Sequence, residues 1–230
     1  MSSCGGREEN RTPSCLILSV PYNTVQPPVV QEVAYAMDIV EQQVAVRKYR
    51  FTVEEYHKIG EAGIFSEDDR VELIDGEVVK MTPIGWRHAW CVNTLNMLLA
   101  RPAQSRYVVS VQNPLIISEH GEPQPDLALL RNLPAGRLPA PGDVLLVVEV
   151  SDTTLTYDKN VKLSRYAEAG IAEAWLVDLN SETFEVHSGP GPGVYRRTTR
   201  FGRGDRVESA TVPDLAFDAD DALPPTEPEG

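Results

Sequence analysis

Val144-Leu-Leu-Val-Val-Glu149-Val-Ser151 is the stretch that decides how this chain folds. It is apolar on both of its period-2 faces, the pattern of a central strand covered by structure on each side. Its one charge, Glu149, therefore sits where a carboxylate loses hydration at a cost of several kcal/mol unless it is paired, hydrogen-bonded or metal-bound. A short loop then leads to a predicted helix from about Asp158 to Glu168, closed by Gly170, and to a second apolar run, Ala174 to Leu179. Strand, helix, strand is a crossover unit, so the two strands should be parallel.

Upstream, Thr52 and Glu55 form a capping box before a helix over Val53 to Ala62, with Gly63 as its stop. Arg70 to Ile74 and Glu77 to Met81 alternate around Asp75-Gly76, the signature of a two-residue type I′ hairpin. A helix from about Trp86 to Ala100 follows, then strand-like runs at Tyr107 to Val111, Leu115 to Ser118 and Leu127 to Leu130. Beyond the crossover, Phe184 to Val212 reads as further hairpin strands with a loop at Gly189 to Gly193. The whole is an α/β protein with a mixed central sheet flanked by helices. Residues 1–46 read as a flexible extension, 47–218 as the folded domain and 219–230 as an acidic disordered tail. Met37 is an alternative start to Met1.

The composition suits one core domain: 230 residues, 42% hydrophobic and 24% charged. No run approaches the roughly 18 apolar residues of a membrane span, and no secretory leader is evident. Cys4, Cys15 and Cys91 have no CxxC spacing, which supports neither a disulfide framework nor a zinc knuckle. A cytoplasmic location is expected. The net charge of -13 argues against strong non-specific nucleic-acid binding, although residues 47–213 hold 19 bases against 23 acids. Arg196, Arg197, Arg200, Arg203 and Arg206 form the one concentrated basic stretch, which reads as a charged hairpin edge more readily than as a phosphate track.

The motifs of serine hydrolases, zinc peptidases and P-loop enzymes are missing, and Gly189-Pro-Gly-Pro-Gly193 is a turn. What remains is a pair of carboxylates, Asp126 just before an apolar run and Glu149 inside one. These residues alone allow a metal site or a structural ion pair. Oxygen donors without cysteine or clustered histidine favour Mg²⁺ or Mn²⁺ over zinc. On the helix after Glu149, Lys159, Lys162 and Tyr166 stand at i, i+3 and i+7 and should share a face. A lysine there can place a water or stabilise charge on a phosphoryl oxygen.

The ordered set of Val71-Glu72-Leu-Ile-Asp-Gly-Glu77, His88, Gln124-Pro-Asp126-Leu, Val147-Val-Glu149-Val-Ser151, Lys162 with Tyr166, and Gly170-Ile-Ala-Glu-Ala-Trp-Leu-Val-Asp178 resembles the Uma2 (DUF820) pattern of the PD-(D/E)xK nuclease-like superfamily. The resemblance spans roughly residues 48 to 218. It implies a restriction-endonuclease-like core with Asp126 and Glu149 on neighbouring strands, and a metal-dependent endonuclease acting on nucleic acid, DNA above all, bound weakly and salt-sensitively. One or two Mg²⁺ or Mn²⁺ ions would be held by Asp126, Glu149 and Val150. Glu72 would be a further catalytic acid, and His88, Ser151 and Tyr166 accessory residues. Ser151 stands where the superfamily motif has lysine, and the resemblance points instead to Lys162. A homodimer is compatible with the pattern, as are two rival functions: a non-catalytic binding module, or a hydrolase of a small phosphoester.

Overall fold

The structure, a computed structural model, describes residues 48–225 except 67, 104, 105 and 135. The expected extension, with Met37, lies outside the described residues, and the folded unit begins at Tyr49. Helix α1 (Val53–Glu61) starts on both halves of the expected capping box: Thr52 Oγ1 accepts from the Glu55 amide at 3.2 Å and Glu55 Oε2 from the Thr52 amide at 2.9 Å. Strands β1 (Val71–Ile74) and β2 (Glu77–Lys80) form the expected hairpin, with φ of 53° at Asp75 and 77° at Gly76, as a type I′ turn requires. Gly76 has a second reason to lack a side chain, since a Cβ there would lie 2.6 Å from Arg50 Cβ.

After α2 (Trp86–Ala100) come β3 (Val108–Val111), β4 (Leu127–Leu130) and β5 (Val144–Ser151). The chain then winds through α3 (Leu155–Tyr157), a π-helical turn (Asp158–Lys162) and α4 (Leu163–Glu168) without a break. Strands β6 (Glu173–Asp178), β7 (Thr183–Gly191), β8 (Val194–Phe201), β9 (Arg206–Glu208) and β10 (Ala216–Asp218) follow, and a short α5 (Ala219–Ala222). Six strands form one mixed sheet in the order β3-β4-β5-β6-β7-β8. The β5–β6 pair is parallel, as the crossover demanded, and every other pair in this sheet is antiparallel.

The two-faced apolarity of β5 is used as expected. Leu146, Val148 and Val150 join a core with Cys91, Leu95 and Leu99 of α2, whereas Val147 packs with Leu163, Tyr166 and Ala167 of α4. Glu149 follows the parity of Val147 and so faces α4.

Four expectations need correction. Leu115 to Ser118 is no strand, because its amides bond back to Pro123 and Gly121 across a tight bend closed by one Ser118–Gly121 bridge. The loop expected at Gly189 to Gly193 shrinks to Pro192 and Gly193, with Gly191 already paired to Val194. The helix after β5 begins at Leu155, and its π turn changes which residues share a face. Of the tail expected over 219–230, residues 226–230 lie outside the described residues and the first part belongs to the fold: Ala219, Ala222 and Leu223 are buried in the α2-side core. Arg203 ties this segment down through Glu182, Asp220 and the Pro224 carbonyl. The acidic surface of this short segment concealed its apolar side.

Burial of Leu223 gives a direct check. Leu223→Ala should lower the unfolding free energy by about 2 to 5 kcal/mol, and truncation after Asp218 should lower it further. Urea melts showing wild-type stability for both chains would return residues 219–223 to a dispensable tail.

Candidate active site

Asp126 lies one residue beyond the Leu127–Val148 pair on the β4 side, and Glu149 one residue beyond it on the β5 side. The short loops on either side leave both acids at one end of the sheet. They line a cavity of about 330 Å³ together with Glu72, His88, Tyr157 and Lys162.

Glu149 is 3% exposed. Its Oε1 accepts from the Tyr166 hydroxyl at 2.5 Å and lies 3.4 Å from Lys162 Nζ. The ammonium also reaches Glu72 Oε2 at 3.0 Å, and the same oxygen accepts from the Gln124 amide at 3.1 Å. Glu72 therefore faces inward from β1. Burial pushes the Glu149 carboxyl well above its ordinary value; Lys162 pulls it down, and Asp158, Asp126 and Glu72 push it up further. For Lys162, burial disfavours the charged form, but Glu149, Glu72 and Asp158 together hold it above the usual lysine range and keep it an ammonium.

Asp126 is placed differently. Its Oδ2 accepts from the Val150 amide at 2.9 Å and meets His88 Nε2 at 3.1 Å, while Oδ1 accepts from Gln112 Nε2 at 3.1 Å. Burial raises its pKa, yet His88, the Val150 amide and Gln112 outweigh burial and leave it below the ordinary value. The two acids are thus pushed apart, one held ionised and one reluctant to ionise, a division found where carboxylates take separate tasks. A buried acid elsewhere shows the contrast: Glu173 is satisfied by neutral donors alone, Trp175, Ser209, Thr211 and the Ala210 amide, and takes no part in lining this cavity.

The π turn sets the helix side of the site. Its i→i+5 bond runs from the Leu163 amide to the Asp158 carbonyl. Lys162 and Tyr166, four residues apart beyond the turn, both reach Glu149. Lys159 leaves that face and bonds Glu185 at 2.8 Å, so the expected trio shrinks to a pair. Ser151 donates to Asp158 Oδ2, as does Thr154, so Ser151 braces the loop and Asp158 is a buried clamp. Asp178 is a turn acceptor, taking the Asn180 and Ser181 amides. Sequence reasoning missed Gln112, which reaches Asp126 only because the chain turns at φ 49° after β3, and nothing in the sequence marks that turn. It missed Tyr157 too, whose place depends on the π turn.

The fold has a counterpart among solved structures. A crystal structure of a putative nuclease belonging to DUF820, from Anabaena variabilis ATCC 29413, superposes with a TM-score of 0.56 at 14% identity, covering 75% of this chain and 97% of that one. The likeness establishes the fold: a mixed central sheet with helices on both faces. The Uma2 family, described as "Putative restriction endonuclease", matches residues 53–220, and the chain belongs to it. No curated protein matches the chain. No helix among the described residues is long and apolar enough to cross a membrane.

Charge accounting at the site predicts opposite effects for its two central groups. Lys162→Ala strands two buried carboxylates and should destabilise by about 3 to 5 kcal/mol. Glu149→Gln leaves the ammonium its Glu72 partner and should be neutral or stabilising. Since the folded-state pKa of Glu149 is raised, its contribution to stability is full below the ordinary 4.5 and is lost as pH rises through the raised value. The melting-temperature gain of Glu149→Gln over wild type should therefore be near zero at acid pH and grow towards neutrality. A flat or inverted difference would show that Lys162 holds Glu149 as an obligatory ion pair.

Proposed function

We propose that the protein is a metal-dependent nuclease that hydrolyses nucleic-acid phosphodiesters in the cavity between β4, β5 and the π turn. The observation that carries this reading is the surplus of buried acids: Glu72, Glu149 and Asp158 lie around one buried ammonium, Lys162, and Asp126 lines the same cavity. Family membership and the nuclease description of the Anabaena relative supply the substrate class.

The donor set fits a hard cation. Asp126, Glu149 and the Val150 main-chain oxygen would hold one or two Mg²⁺ or Mn²⁺ ions, with water and substrate oxygens completing the shell. Among the described residues no group of three or more His, Cys, Asp or Glu side chains forms a ready-made metal cluster. When bound, such an ion would supply polarisation of the phosphoryl oxygen and a more acidic water. The chain's own residues do the rest. His88, Gln112 and the Val150 amide keep Asp126 ionised and aimed. Tyr166 fixes the Glu149 carboxyl. Lys162 provides a buried positive charge for the oxygen on which charge develops. Water adds to phosphorus, the ester P–O bond breaks, and the departing oxygen takes up a proton.

The test is cleavage of duplex DNA, single-stranded DNA and RNA with Mg²⁺ or Mn²⁺. Asp126→Asn and Glu149→Gln should each reduce cleavage at least about 100-fold while staying folded. Mn²⁺ should raise the melting temperature of the wild type and not that of Asp126→Asn. Binding should weaken as salt rises, since few bases offset a chain of net charge -13. Absence of cleavage on all three substrates, with melts indifferent to Mn²⁺, would remove the nuclease reading. The acidic chain and the small cavity favour one second reading, a small phosphoester as substrate. Stronger competition by a mononucleotide than by a duplex would select it.

A further inference from the structure

Tyr157 lines the same cavity, yet the chemistry assigned to Asp126, Glu149 and Lys162 makes no use of it. Its hydroxyl is enclosed and has no hydrogen-bond partner; among the buried side-chain polar atoms of the described residues lining the cavity, only His88 Nδ1 shares that condition. Leaving such a group unsatisfied costs about 1 to 3 kcal/mol, a cost that an acceptor entering beside this residue of the cavity wall would remove. The phenol is within electrostatic reach of Glu72, Lys162 and Asp158, yet bonds none of them. Burial first, then Glu72, push its pKa up to about 12, so it remains a donor at any working pH.

Its placement comes from the helix. In an α-helix, residues five apart diverge by about 140°, and Tyr157 and Lys162 would face different ways. The π turn between them, closed by the i→i+5 bond from Leu163 to Asp158, brings both to the cavity wall. Turns of this kind recur at functional sites because they re-aim side chains at the expense of regular bonding. Here the turn gathers a neutral donor and a cation on one wall, facing the end of the sheet that carries Asp126 and Glu149. An oxyanion fits a wall with one neutral donor and one positive charge.

We propose that the Tyr157 hydroxyl donates to a non-bridging oxygen of the bound phosphodiester, making Tyr157 a substrate-binding residue alongside Lys162. The assignment rests on the nuclease reading for the identity of the substrate, and on the orphaned hydroxyl for the contact itself. Tyr157→Phe then removes a group that the free protein leaves unsatisfied. Fold stability should be unchanged or raised while substrate binding falls, a combination a structural tyrosine does not produce.

Dimethyl phosphate, the smallest phosphodiester, is the probe. Protein carrying ¹³C-labelled tyrosine is titrated with it in the presence of Mg²⁺, the Tyr157 signal being assigned by its loss in Tyr157→Phe. The expected result is a saturable shift of that signal. Tyr157→Phe should weaken binding by about three- to tenfold, the share of one neutral hydrogen bond, and raise KM for an oligonucleotide by a similar factor with kcat little changed. Its melting temperature should equal or exceed that of the wild type. Equal affinity of both proteins for dimethyl phosphate, no saturable binding by the wild type, or a lowered melting temperature with unchanged affinity would each overturn the assignment. Binding without cleavage of any nucleic acid would end the nuclease reading and leave the Tyr157 contact standing.

Discussion

The Lys162 ammonium lies 3.0 Å from Glu72 and 3.4 Å from Glu149, and these three side chains arrive from the β1–β2 hairpin, the central strand β5 and the π turn. A carboxylate near the end of a doubly covered strand needs a charged or hydrogen-bonding partner brought to it, because most of both flanking layers is apolar. The helix must therefore cross at a height that brings Lys162 to the end of β5, and the hairpin must fold back over the same point. Arg165 secures that return from α4 by gripping the Asp75 carboxylate at the hairpin turn, with Nε and Nη2 at 2.6 and 2.7 Å. Glu72 is thus held opposite the lysine by a surface contact three residues away, outside the main sheet.

The same arrangement leaves the site electrically incomplete. One ammonium stands among several acids, and the hydrogen-bonding network divides them, giving Asp126 its full set of donors and leaving Glu149 short. A polyanionic substrate would meet repulsion there unless further positive charge entered with it. This is the physical reason for joining a divalent ion to the nuclease reading. The concentrated basic stretch of the sequence is largely engaged locally: Arg200 of β8 pairs with Glu185, Arg203 of the following turn with Glu182 and Asp220, and Arg206 of β9 with Asp218.

Much of this architecture is legible in the sequence because it rests on short-range rules. The two-faced run of β5, the Asp75-Gly76 turn and the Thr52–Glu55 capping box each have one low-energy local solution, and each forms as expected. The parallel β5–β6 pair follows from handedness and loop length. What escapes is whatever depends on tertiary compensation. Nothing in Leu155 to Glu168 signals a π turn, since its weaker backbone bonding is offset by contacts of Lys162 and Tyr166 with Glu149 of the preceding strand and of Lys162 with Glu72 of β1. Ala219 to Leu223 reads as acidic tail because three apolar residues are too few to show a period, yet a groove beside α2 is enough to bury them. Gln112 becomes a partner of Asp126 through one left-handed residue that no composition rule marks.

The π turn also bears on how this chain tolerates change over generations. Exchanging one residue type for another on the outer side of the helix leaves the geometry of the turn alone. Adding a single residue between Tyr157 and Lys162 rotates everything beyond it by about 100°, carrying the lysine and Tyr166 off Glu149 together, whereas removing one turns the i→i+5 turn into an ordinary α-turn that keeps both on the same face. Along this stretch an insertion is therefore less tolerable than a deletion or a change of identity, and relatives that share the acids but carry one more residue here would have to build their positive charge from another part of the fold.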